Sequence, residues 1–216
     1  MLDDNLSNTT YEIDNTLIHP SENYNDLGIV FDQKLTFNKH ISNLIVKAKK
    51  LSYLINRRFS FSSADIKVKL FQSYVMPHLD YCSQVWSPNA EHYIKSIEGI
   101  QRKFTKTVFY GRYLSYESRL SVSGLMSLCN RCIYLDCCLL FKMLNNNTLA
   151  YYNLVRSSSV SRPYDIKQVY YKKRLVGREF TRRIASNWNC LPLFIKEART
   201  IASFKHLYLL HFFSTK

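Results

Sequence analysis

Glycine and proline are scarce in this chain, with five of each among 216 residues. A β-sandwich or barrel draws on many more turn residues, so an all-β architecture is set aside and a mostly helical one is expected. Long apolar runs are also missing. LYLLHFF at 207–213 falls far short of the roughly 20 residues a bilayer-spanning helix needs. The acidic N-terminus shows no apolar stretch of the secretory-signal kind. The six cysteines (82, 129, 132, 137, 138, 190) have no extracellular spacing pattern. Reduced thiols in an intracellular protein, nuclear or cytoplasmic, are expected. Gly-rich phosphate loops and H-E-x-x-H are absent as well.

What the chain has in quantity is base and apolar surface. Hydrophobic residues make up 46% and aromatics 14%, enough for a packed core and too much for a disordered chain. The net charge is +14, unevenly spread. Residues 1–37 hold seven acids (Asp3, Asp4, Glu12, Asp14, Glu22, Asp26, Asp32) and the single base Lys34, leaving +20 on the remainder. Such an excess attracts polyanions and releases their counterions. Nucleic acid is the first candidate partner. An anionic membrane is set aside, because the apolar helix faces are needed for the core.

Along the chain the hydrophobic period changes. YEIDNTLI places two apolar runs around the turn dipeptide Asp14-Asn15, and LGIVF (27–31) reads as a compact buried run. From Asn38, a candidate N-cap, Ile41, Leu44, Ile45, Ala48, Leu51 and Ile55 recur at helical spacing. Lys39, Lys50 and Arg57 fall on the opposite face. A second helix is expected from Ser62 or Ser63, ended or kinked by Pro77. A third is expected from Ser87-Pro88, with Tyr93, Ile97, Ile100, Phe104 and Val108 buried and Lys95, Arg102 and Lys106 outward. A fourth, about 126–145, is apolar almost all round, with Leu128, Cys132, Leu135, Leu139 and Met143 on one face, and should be central. NNNT (145–148) and SSSVSRP (157–163) mark loop or linker. From Arg162 to Arg183 there are eight bases and two acids, with Tyr164, Tyr170 and Tyr171 among them. Two shorter helices, about 178–188 and 202–213, flank WNCLP.

Three constellations invite chemistry. HLDYCSQVWSP holds His78, Asp80, Cys82 and Ser83, but a nucleophile needs a base in reach and a third group orienting it, which a local string at a helix junction does not guarantee. Packing of Tyr81, Val85 and Trp86 across a corner is the preferred reading. C-x2-C-x4-C-C at 129–138 cannot bring all four sulfurs to one metal on a helix, which leaves core thiols or a mixed site with a distant His. Asp3-Asp4 is the only adjacent carboxylate pair, while Asp26 and Asp32 cap or solvate a short apolar run. No catalytic and no metal-ligating residue is assigned.

The same segments resemble a family. NDLGIVFDQKLTFNKHI (25–41) with KAKKLSYLINR resembles the D-L-G-V-x-D-x-x-L-x-F-x-x-H-I segment of non-LTR (LINE, jockey-like) retrotransposon reverse transcriptases. KLFQSYVMPHLDYCSQVWSP, IEGIQRKFTK, LSYESRLSVSGLMSL, Arg131 with Tyr134, Leu135 and Asp136, FKMLNN, FTRRIASNWNCLP and SFKHLYL follow in the family's order. HLDYCSQVWSP resembles the family's P-H-L-E-Y-x-x-x-x-W-x-P junction, with Asp80 for the usual Glu. The resemblance implies the end of a polymerase palm and the thumb and post-thumb region of an RNA-directed DNA polymerase. The family's catalytic Y-x-D-D, with its Mg2+, belongs upstream, and no Y-x-D-D occurs in these residues.

The expected architecture is therefore mainly α: a palm-end β segment at 1–37, a helical thumb-like domain at 38–148, a linker at 149–175 and a C-terminal helical segment at 176–216. The expected role is non-catalytic, backbone-directed binding of an RNA–DNA hybrid, alone or beside the remaining polymerase domains. Its candidate contacts are Lys39, Lys50, Arg57, Lys95, Arg102, Lys106, Lys172, Lys173, Arg174, Arg178, Arg182 and Arg183. Leu27, Gly28, His40, Pro77, Trp86, Trp188 and Pro192 are assigned to architecture. A domesticated protein–protein module, or a remnant without function, are the alternatives.

Overall fold

The computed structural model describes residues 11–19, 21–88, 90–146, 154–156, 164–168 and 180–214. The chain divides into two compact units, Met1–Asn43 and Leu44–Lys216. It is mainly helical with a short N-terminal β segment, as expected.

In the first unit, β1 (Tyr11–Ile13) pairs antiparallel with β2 (Thr16–Ile18), Tyr11 opposite Ile18. Asp14 and Asn15 both take positive φ, the geometry a tight two-residue hairpin turn requires and that Asx side chains tolerate. A second hairpin joins β3 (Asn23–Asp26) to β4 (Ile29–Asp32) through Leu27 and Gly28, at φ 47° and 84°. This corrects the reading of 27–31 as one buried run, since Leu27 is 82% exposed at a turn and Ile29 is buried. Gly28 serves that turn and no close approach, for a Cβ there would meet nothing within 4 Å.

After β4 the chain turns around the Asp32 carboxylate. It accepts hydrogen bonds from the backbone N–H groups of Lys34 (3.1 Å), Thr36 (3.0 Å) and Phe37 (2.7 Å), and from Thr36 Oγ1 (2.8 Å). Burial alone would raise the pKa of Asp32, but these bonds together hold it below the ordinary value. The turn delivers α1 (Asn38–Arg58), whose first helical hydrogen bond runs from Ile41 N to Phe37 O. Asn38 is thus the first helical residue and not the cap. His40 is buried and accepts from Val30 N at 3.4 Å, a structural helix-start residue.

The second unit contains the rest of α1 and the elements that follow. Of the expected stripe on α1, Leu44, Ile45, Ala48 and Ile55 are buried and Leu51 is half-buried. α2 (Ala64–Tyr74) is capped by Ser63, whose Oγ accepts from Ile66 N. Pro77 sits in the first turn of α3 (Met76–Asp80), so it both ends one helix and opens the next. α4 (Ser83–Trp86) is a single turn closed by Ser87 N on Ser83 O. Ser87-Pro88 therefore terminates α4 and does not start the next helix. α5 (Glu91–Val108) begins three residues after Pro88.

α6 (Tyr116–Ser123) has Ser115 as N-cap and Gly124 in the left-handed conformation at its end, with Leu125 N reaching back to Leu120 O. Both signals, Ser115 before and Gly124 after, are present in the sequence, and α6 adds to the helices expected from it. α7 (Leu128–Asn145), capped by Ser127, is central as expected, packing against α4, α5, α8 and α10. Its buried face matches the predicted one at Leu128 and Met143 only. Cys132, Leu135 and Leu139 are half-buried, whereas Tyr134, Asp136, Cys137, Cys138, Leu140 and Phe141 are buried.

The stretch expected to be linker carries β5 (Leu154–Arg156) paired with β6 (Ile166–Gln168). The chain closes with α8 (Phe180–Asn189), α9 (Leu193–Lys196) and α10 (Ile201–Ser214). α8 and α10 lie on α7 in one core in which Phe204 stacks between Phe141 (4.7 Å) and Trp188 (5.7 Å). Trp188 and Asn189 also clasp the strand before them. Trp188 Nε1 donates to Tyr164 O at 2.8 Å, and the Asn189 amide both accepts from Ile166 N and donates to Ile166 O. Among the described residues no single helix is long and apolar enough to cross a membrane.

Candidate nucleic-acid interface

A groove of about 1010 Å³ runs between α1 and α5. From α1 it is lined by Lys49, Lys50, Ser52, Tyr53, Asn56 and Arg57. From α5 come Ser96, Gly99, Ile100, Lys103, Phe104 and Thr107. Four of these residues are basic and none is acidic, so the groove is a concave surface of one sign. Such a surface focuses potential more strongly than a flat basic face. Its floor is apolar: Ile100 and Phe104 are buried, and Phe104 stacks on Phe71 of α2 at 4.4 Å. Lys49, Lys50, Arg57 and Lys103 are exposed, as a rim must be.

The predicted contacts divide against this groove. Lys50 and Arg57 line it, while Lys39 belongs to the first unit and is exposed there. Lys95, Arg102 and Lys106 are exposed on α5 but none of them lines the groove. Lys95 pairs with Glu91 at 2.8 Å in solvent, and the Arg102 guanidinium lies over the Tyr116 ring at 4.2 Å. Lys49 and Lys103 were missed. The missed signal was spacing, because Lys103 sits on the flank of the buried Ile100–Phe104 stripe and not opposite it.

Arg183 requires a correction. It is turned inward, with Nε 2.6 Å from Asp136 Oδ2 and Nη2 donating to Asp136 Oδ1 and to Gln84 O. The Asp136 side chain is 1% exposed. Burial raises its pKa, and Arg183 pulls it partly back. A buried carboxylate has to be paired, and that need overrides any surface role for this arginine. Lys172, Lys173, Arg174 and Arg178, and the side chain of Arg182, lie outside the described residues.

The HLDYCSQVWSP corner is held by an ion pair and a buried tryptophan. Asp80 is held by Arg131 through a two-pronged pair, Nε to Oδ1 at 2.7 Å and Nη2 to Oδ2 at 2.6 Å. Trp86 is buried and donates Nε1–H to Tyr81 O at 2.7 Å. Tyr81 and Val85 are about half exposed, which corrects their assignment to the corner's packing. Cys82 takes φ 49° between α3 and α4.

The cysteines of α7 separate by face. Cys137 and Cys138 are buried in the core and Cys129 is exposed. Burial pushes the Cys132 thiol up to about 12, a poor nucleophile. Among the described residues no group of three or more His, Cys, Asp and Glu side chains is placed to hold a metal ion.

A buried polar network joins α5, α6 and α7. Glu98 accepts from the Tyr116 hydroxyl and from Leu128 N (2.8 Å), the latter at the N-terminus of α7, where a carboxylate complements the helix dipole. Gln101 donates to Met126 O at 2.8 Å, and Arg119 Nη1 to Leu114 O at 2.7 Å. This network fixes the face of α5 away from the groove, and with it the direction in which Lys103 points.

No protein-family model matches the chain, and no solved structure matches it. Curated proteins do. An uncharacterised protein of Caenorhabditis elegans is 33% identical over 107 residues, 48% of this chain and 54% of that protein. The RNA-directed DNA polymerase from the mobile element jockey of Drosophila melanogaster is 32% identical over 117 residues, 50% of this chain and 13% of the polymerase. The corresponding polymerase of Drosophila funebris is 30% identical over 100 residues, 44% and 11%. The chain thus spans about half of the worm protein and a small part of each polymerase. Over about half of its length the chain is thus distantly similar to RNA-directed DNA polymerases of mobile elements such as jockey.

Proposed function

We propose that this chain corresponds to the thumb and post-thumb region of such a polymerase and grips nucleic acid through its sugar-phosphate backbone, without catalysing synthesis itself. The observation that carries this reading is the α1–α5 groove, with four bases and no acid along its lining. Polymerisation would rest with aspartates that have no counterpart in these residues. Contacts of rim lysines and arginines with phosphate carry no sequence information, so such binding would be independent of sequence. The remaining polymerase domains would be its protein partners.

The test is fluorescence anisotropy of the full chain with labelled RNA–DNA hybrid, DNA duplex and single strands between about 50 and 200 mM salt. Binding that weakens linearly in log salt is expected. The variant carrying Lys49→Glu, Lys50→Glu, Arg57→Glu and Lys103→Glu should lose it. Absence of binding, or binding indifferent to salt, would overturn the reading in favour of a protein–protein module.

A further inference from the structure

Resting on that reading, we infer that the α1–α5 groove holds a single nucleic-acid strand, with an unpaired base stacked on Tyr53 above the opening left by Gly99.

Four observations converge on a single strand. Tyr53 lines the groove yet is 60% exposed, so its ring is available between the rim bases Lys49, Lys50 and Arg57. Aromatic rings among bases suit single strands, because every base has a face to stack and every phosphate a cation to meet. The apolar floor of Ile100 and Phe104 offers contact to an unpaired base. A duplex keeps its bases stacked and paired inside and would touch only the rim.

Gly99 is the third observation. It lies in the middle of an 18-residue helix, where glycine is unfavourable relative to alanine. Packing does not demand it, since a Cβ there would meet nothing within 4 Å. The open space it faces is the groove, so its lack of a side chain keeps room for a ligand close to the α5 backbone. Finally, Asn56 buries its amide oxygen in the groove wall with no hydrogen-bond donor against it. Rotation of that amide toward a hydroxyl or amine of a bound nucleotide would give it a partner.

The experiment measures anisotropy of labelled single-stranded RNA and DNA of mixed sequence, and of the matching hybrid, with the full chain and two sets of variants. Gly99→Leu places a side chain in the groove at a position where α5 gains helix propensity, so its melting temperature should hold or rise. Its single-strand affinity should fall roughly tenfold or more, and Tyr53→Ala should do likewise, the scale of one base–aromatic stack. Tyr53→Phe should bind like the parent. Hybrid binding should change less than single-strand binding in both Gly99→Leu and Tyr53→Ala. If both variants bind single strands as the parent does while the four-fold Glu variant does not, the groove inference falls and backbone contact by the rim stands. If no oligonucleotide binds, both readings fall together.

Discussion

At the scale of single residues, the pair Arg183–Asp136 shows how a buried charge decides the fate of its partner. Removing Arg183 leaves a carboxylate with a 1% exposed side chain unpaired, and Arg183→Ala should cost about 3–5 kcal/mol in urea unfolding at neutral pH. The pH dependence follows from the direction of the shift. Asp136 is held above its ordinary 3.8 by burial, so protonation relieves the site, and that contribution fades as pH rises through the folded value. Without the arginine the carboxyl rises further, and the penalty should be smaller near pH 4 than at pH 7. Equal penalties at the two pH values would mean that Arg183 acts through packing alone. The sequence placed this arginine in a basic tract and gave no sign of the inward turn. Its partner lies 47 residues away, and periodicity reads only one helix at a time.

At the scale of elements, local signals were legible where one residue type solves one local problem. Asp14-Asn15 turned a hairpin, Ser63 capped a helix and Pro77 broke one, each read directly from the chain. The signals failed where the same residue serves two neighbours. Ser87-Pro88 looks like a helix start, but Ser87 closes the turn of α4 behind it. NYND lacked the β-branched residues of a strand and forms β3 because its hairpin partner β4 supplies them.

The turn at Asp32 makes a prediction at this level. Its carboxyl titrates below the ordinary 3.8, so the turn's stabilisation is present above that pH and is lost as pH falls through the folded value. Amide exchange at Thr36 and Phe37 should accelerate in that acid range before global unfolding, and in Asp32→Asn it should be fast at neutral pH as well. Protection unchanged by acid would show that the backbone alone holds the turn. The Trp188–Asn189 clasp is a second such unit. Asn189→Ala leaves Ile166 N–H and C=O without their partner and should cost about 1–3 kcal/mol.

At the scale of the whole molecule, the charge balance was fully legible and its arrangement was not. The +14 net charge, read from composition alone, favours attraction of polyanions. Which bases face one groove depends on how α5 is rolled, and that roll is set by Glu98 and Gln101, whose partners are Tyr116 of α6, Met126 O in the following loop and Leu128 N at the start of α7. If the four rim bases each neutralise one phosphate of a single strand, the slope of log K against log salt should be near −3, at about −0.7 per phosphate. Each single Ala substitution at Lys49, Lys50, Arg57 or Lys103 should flatten it by about 0.7. A slope unaltered by all four would place the phosphate contacts elsewhere on the chain.

The way α8 and α10 seat on α7 carries one more consequence. On the two sides of the stretch between residues 168 and 180, Ile166 is held by the Asn189 amide and α8 by the aromatic stack on Phe204. Expressed as two polypeptides divided within that stretch, the protein should reassemble in the test tube, with the shorter piece finding its seat on α7 as a ligand finds a receptor. Their dissociation constant would then be a direct reading of how much free energy this half of the core contributes.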